Sequence, residues 1–160
     1  MRYILFDLYY MTRINSAIPV QCLTDEHLLA EHREIKRLPY CLKRAIASGS
    51  IRNIPAKFCL GSGHVLFFLN KIKFVAQRYN ELHQECIHRG FSITDYSSNF
   101  SNISPEYDNE YTPSDKERSL LIERITQRIL KSSKTSWHYY RKAISKEDAS
   151  KLLDKIRRAR

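Results

Sequence analysis

The chain has 160 residues, 42% hydrophobic and 28% charged, a balance that fits one globular domain and excludes a disordered or fibrous chain. No apolar run approaches the roughly 20 residues a membrane-spanning helix needs, which excludes a helical integral membrane protein. The 27 Lys and Arg against 17 Asp and Glu leave +10, and that excess points to a polyanionic partner.

The opening Met1–Tyr10 is not the pattern of a signal peptide, because Asp7 interrupts a short apolar stretch and no small-residue cleavage site follows. The first helical pattern begins after Leu23, with Thr24 as N-cap and Asp25 and Glu26 where the helix dipole favours acids. Leu28, Ile35, Leu38 and Leu42 continue it, and Pro39 should end or bend it near Leu38. Arg33 and Arg37 lie one turn apart on it, with Glu34 about 100° round from Arg33. A loop spans roughly residues 48–62, and a second, central helix is expected on Val65, Phe68, Leu69, Ile72, Val75, Tyr79, Leu82 and Cys86, stopped by Gly90.

Residues 91–111 read as a long, acidic surface loop. Thr112-Pro113 are expected to start a third helix with Leu121, Ile122, Ile125 and Ile129 on its buried face and Arg124, Arg128 and Lys131 on another. Ser136–Lys142 interleaves aromatics with bases, and a last basic helix should start near Ser145. No strand stands out. The expected fold is all-α: one compact domain of three main helices with long loops, plus a short C-terminal helix.

The charge is unevenly placed, with one base and six acids in residues 91–117 but thirteen bases and four acids in 118–160. Such asymmetry favours a nucleic-acid footprint over a basic membrane-surface face, without separating DNA from RNA. Cys22, Cys41, Cys59 and Cys86 show neither a CxxC pair nor zinc-finger spacing, which suits a reducing compartment. His83, Cys86 and His88 lack a nearby fourth ligand, so no metal site is assigned. Gly61-Ser62-Gly63-His64 lacks the ending of a phosphate-binding loop and reads as a tight turn. In the tail, Trp137 and Tyr139 could stack on unpaired bases while Lys142 holds phosphate; a tail packed on the core is the other reading. Glu34 among bases is either a surface ion pair or a carboxylate held on a phosphate-binding face.

From Met11-Thr12-Arg13-Ile14-Asn15 onward the sequence resembles the pyrimidine dimer DNA glycosylase/AP lyase family, the endonuclease V of T-even phages. The likeness continues through Asp25–Glu34, Leu60-Gly61-Ser62-Gly63-His64-Val65, Phe67-Phe68, Glu85-Cys86, Arg89-Gly90-Phe91, Trp137 and Lys142-Ala143-Ile144. The resemblance implies a compact three-helix domain over residues 11–144 that needs no cofactor and no metal. It implies that the α-amino group of Thr12, exposed by removal of Met11, attacks C1′ of the damaged nucleotide, and that β-elimination through the imine then cuts the strand. Glu34 matches the family's catalytic glutamate. Arg13, Arg33 and Arg37 match phosphate-holding residues, His27 a histidine at the edge of the site, and Arg124 an arginine of the third helix. Arg128 replaces a lysine, and Trp137 heads the aromatic tail.

Several positions depart from that pattern. Residues 1–10 precede the family's start, so Met11 is expected to be the true start or the extension to be removed. His32 stands where Tyr is usual, the tail after Trp137 is one residue short, and residues 145–160 add six bases and three acids. That last stretch is expected to add non-specific grip on DNA. The expected protein is a cytoplasmic, monomer-competent repair enzyme acting on double-stranded DNA with ultraviolet-induced pyrimidine dimers. A DNA- or damage-binding protein whose residues 1–11 block Thr12 is the rival reading, and an RNA-binding helical module the third.

Overall fold

The computed structural model describes residues 14–51 and 53–158, with side chains through residue 156. Thr12, Arg13 and the extension before them lie outside the described residues. From Ile14 the chain runs into the core, burying Ile14, Ala17, Ile18 and Val20, and makes a short 3-10 turn at Val20–Cys22. Thr24 then caps α1 (Asp25–Ile35), accepting the His27 N–H at 3.3 Å. Pro39 occupies the first turn of α2 (Leu38–Ala47), where its missing N–H costs nothing, so the expected bend is a change of helix.

The single central helix expected from the apolar stripe is two helices, α3 (His64–Phe68) and α4 (Ile72–His88). The stripe runs on through the break, which is why it is silent in the sequence. Backbone hydrogen bonding explains it. The Ile72 and Phe74 N–H groups at the start of α4 donate to Tyr107 and Asn109 carbonyls, at 2.9 and 3.4 Å. Lys71 Nζ meanwhile takes up the Phe67 carbonyl at 2.8 Å. The segment 91–111 is therefore no mere surface loop. Phe91, Ile93, Tyr96, Phe100, Tyr107 and Tyr111 are half-buried against the core, and Ser97–Phe100 forms a 3-10 turn.

Gly90 ends α4 as expected. Its φ of +80° lets its own N–H reach Ile87 and the Phe91 N–H reach the Cys86 carbonyl, the paired bonds of a Schellman end. α5 (Asp115–Lys131) is capped by Ser114 rather than by Thr112, in a reciprocal box with Glu117. Its buried face is Leu121, Ile122, Ile125 and Ile129, as the spacing predicts.

The fold is all-α apart from one hairpin that the sequence does not announce. β1 (Trp137–Tyr139) and β2 (Lys142–Ile144) pair antiparallel, Trp137 opposite Ile144. Tyr140 and Arg141 form its two-residue turn at φ +49° and +63°, a twist normally left to Asn-Gly. Outside bonds hold it: the Arg141 N–H donates to Asp25 at 2.7 Å and the Tyr140 hydroxyl to Glu85 at 3.0 Å. α6 (Lys146–Arg158) follows, with Ser145 accepting the Asp148 N–H and with Ala149 and Leu153 buried.

α1 and α4 are fastened to each other and to the first described residues by one ion pair. Glu31 is wholly buried and Arg78 nearly so. Arg78 Nε and Nη2 lie 2.9 and 3.2 Å from the two Glu31 oxygens, and its Nη1 donates to the Ile18 carbonyl at 2.7 Å. The Asn15 N–H and amide complete the carboxylate's shell at 3.0 and 2.9 Å. Removing one member of such a pair strands a buried charge. Arg78→Leu should therefore lower the unfolding free energy by about 3–5 kcal/mol in urea titration. A loss within experimental error would mean that Glu31 is not the anchor described here.

Candidate nucleic-acid interface

Several of the basic residues read from the sequence line two grooves. The larger, about 720 Å3, is lined by His27 of α1, Arg124, Arg128 and Lys131 of α5, Lys134, and Trp137 of β1. Arg124 is half-buried with both terminal guanidinium nitrogens shielded from solvent, while Arg128 and Lys131 are exposed. One wall is a stacked pair: the His27 and Trp137 rings are parallel within 1° at 5.1 Å, with Lys134 over the indole. Thr24 Oγ1 fixes the imidazole through Nδ1 at 2.8 Å.

Glu26 also lines this groove. Burial pushes its carboxyl up, but hydrogen bonds from the His138 ring and backbone and the nearby Lys134 bring it below the usual carboxylate range. It therefore serves the hairpin as a fixed anion, and four cations dominate the groove.

The second groove, about 290 Å3, is lined by Lys36, Arg37, Tyr40, Lys43, Tyr96 and Asn99. Lys36 lies 3.7 Å from the Tyr96 ring centroid, and Tyr40 is 60% exposed. Arg33 is exposed one turn before Arg37. Glu34 stands in the last turn of α1, half-buried, with its Oε2 shielded from solvent. It is two turns from His27 and three residues from Glu31, so the anchored side of the helix also presents the carboxylate.

The tail residues divide. Trp137 is both core and groove wall, 5% exposed, so the two readings of the tail meet in one side chain. Tyr139 is spent on the fold: its hydroxyl donates to the Gln21 carbonyl at 2.9 Å and Arg89 lies against its ring. Lys142 is exposed on β2. His83 and Cys86 are buried and His88 is exposed, and no group of three metal-ligating side chains occurs among the described residues. No described helix is long and apolar enough to cross a membrane.

Sequence reading missed Lys134, which closes the larger groove, and the whole aromatic side of the smaller one. Periodicity could have found Glu31 and Arg78, since each charge falls on the buried face of its helix. Nothing in the spacing indicates that Tyr96 meets Lys36.

A family model described as pyrimidine dimer DNA glycosylase matches residues 11–98, just over half of the chain. The chain belongs to this family. The glycosylase family acts on DNA containing pyrimidine dimers, which makes DNA the polyanion that the positive charge of the chain has to meet. The match covers α1, α2, α3 and α4 and stops before α5, so the α5 wall of the larger groove lies beyond it.

Two buried imidazoles make the glycosylase acid-sensitive. Burial, then the neighbouring His83 and Lys36, push His32 from 6.5 to about 4 against the pull of Asp95. Burial also holds His64 at about 4, with Arg124 adding to the depression. The unfolded chain takes up these protons near pH 6.5 and the folded chain only near 4, so stability falls as pH drops through that window. The urea midpoint should decline from pH 6.5 to 4, less steeply in His32→Phe. An equal slope in both proteins would mean that His32 is not held neutral.

Proposed function

We propose that the protein excises ultraviolet-induced cyclobutane pyrimidine dimers from duplex DNA and then cleaves the abasic site, with the Thr12 α-amino group as nucleophile and Glu34 as the proton-handling carboxylate. Contiguity carries this reading. The larger groove reaches Arg124, Arg124 bears electrostatically on His64, and His64 contacts the carbonyl of Ile14, two residues from Thr12.

The chemistry follows from the groups. A free α-amine titrates near 8 and is far more often neutral at pH 7 than a lysine, so it can attack C1′. The C1′–N bond breaks, the base leaves with a proton, and the nitrogen forms an imine with C1′. Glu34 assists opening of the sugar and the proton transfers around the imine. Loss of a 2′ proton then expels the 3′ oxygen, and water releases the amine. No metal or cofactor is needed for any step.

Arg13, Arg33, Arg37, Arg124, Arg128 and Lys142 would hold phosphates, with His27 and Trp137 at the lesion edge and Tyr139 acting through the hairpin that it holds. A single copy carries all of these groups. The basic α6 would add grip without sequence preference. The reading requires that Met11 be the start of the active protein or that residues 1–10 be removed, since an amide nitrogen at Thr12 could not form the imine.

Borohydride trapping on a duplex with one thymine dimer should give a covalent adduct whose protein part begins at Thr12. Glu34→Gln should bind the same duplex but nick it at least about 100-fold more slowly. A DNA binder with Thr12 covered would instead give no adduct and retain residues 1–11. Full-rate nicking by Glu34→Gln would overturn the role of that carboxylate. Phosphate contacts also set the salt response: Arg128→Ala should reduce the slope of log K against log salt by about 1, read by filter binding.

A further inference from the structure

The glycine-rich stretch 61–64 lacks the ending of a phosphate-binding loop, yet it shapes one feature that the chemistry above does not use. Gly61 at φ +79° turns the chain into the short 3-10 segment Gly61–Gly63. Gly63 has no room for a side chain, because a Cβ there would lie 2.7 Å from Cys59 Sγ. His64 follows; it begins α3 and is wholly buried. The His64 ring is wedged edge-on against Phe58 and Phe68.

Each ring nitrogen of His64 faces a backbone carbonyl: Nδ1 lies 3.0 Å from Cys59 O and Nε2 lies 3.0 Å from Ile14 O. Burial keeps the imidazole neutral at working pH. A neutral imidazole has one N–H, so it can donate to only one of the two carbonyls. The contact with Ile14 is fully buried whereas that with Cys59 is only partly so. Water can reach the neighbourhood of Cys59, but an unserved carbonyl at Ile14 would remain stranded.

We infer that His64 is a positioning residue for the nucleophile, held as the Nε2–H tautomer and donating to the Ile14 carbonyl. With Glu31 holding the N–H and side chain of Asn15, the chain is gripped at two successive residues, Ile14 and Asn15, that follow directly on Thr12 and Arg13 in the sequence. The inference rests on the reading that the Thr12 amine is the nucleophile. His64 touches no substrate in this role.

Isosteric replacements separate the two nitrogens. The amide nitrogen of Gln falls near Nε2 and that of Asn near Nδ1, so His64→Gln retains the donor to Ile14 and His64→Asn retains only the donor toward Cys59. The readout is the single-turnover rate of borohydride-trapped imine on an abasic-site duplex, beside duplex affinity and melting temperature. His64→Gln should trap within about threefold of the parent protein. His64→Asn should trap about 10- to 100-fold more slowly, the usual cost of an ångström of misplacement, with duplex affinity unchanged. Equal trapping by the two variants, or a loss that merely follows melting temperature, would overturn the role of His64. No adduct on the parent protein, or one on a residue other than Thr12, would overturn the function reading and this inference with it.

Discussion

Everything near the interface depends on Glu31 meeting Arg78 in the interior. A buried ion pair is a poor source of net stability, since desolvating two charges offsets most of their attraction. What it supplies is register. The Glu31 carboxylate accepts from Asn15 twice and from Arg78 twice, and Arg78 adds the Ile18 carbonyl, so one pair joins α1, α4 and residues 14–18. A hydrophobic pair of similar volume could fill that space without telling the chain where to lie. Because Glu31 is three residues before Glu34, the same contact fixes how α1 is rotated and therefore where its last turn points.

The interior leaves the surface slightly more positive than the sequence as a whole. Arg78 and Arg89 are buried, and each is matched by acids drawn inward with it: Glu31 for the first, Asp25 and Glu85 for the second. Acids that would otherwise dilute the outer charge are thus used below it. Glu26, a half-buried acid in the larger groove, is bound to His138. Lys131, Lys134, Arg124 and Arg128 are left to set the potential there, and a polyanion neutralised by them would release the counterions condensed on it.

Much of this was legible in the sequence, and for identifiable reasons. α1, α2 and α5 follow from apolar spacing, and Thr24, Pro39 and Gly90 do what their chemistry dictates. The break before α4 was not legible, because its cause is a pair of carbonyls from residues 107 and 109 that no local window contains. The hairpin was hidden for the same reason. Tyr140 and Arg141 are poor turn formers on their own, and they adopt positive φ only because Asp25 and Glu85 hold them from far along the chain. Ser114 outcompetes Thr112 as a cap through its reciprocal bond with Glu117, a spacing that the sequence does contain. At the interface, the arginines of α1 and α5 could be read from residue type and spacing. His64 could not, because its meaning lies in facing Ile14 across fifty residues.

Arg89 has a consequence for how the molecule breathes. Its guanidinium donates to carbonyls of Val20, Gln21 and Leu23 and to the carboxylates of Asp25 and Glu85, and both Tyr139 and Tyr140 lie against it. The hairpin, the start of α1 and the end of α4 thus share one fastening, and none can loosen without exposing the same buried cation. Shared fastening of this kind should make the amide hydrogens in these three places exchange together. The wall made by His27 and Trp137 hangs on the same fastening, so whatever enters the larger groove meets an edge that is already formed.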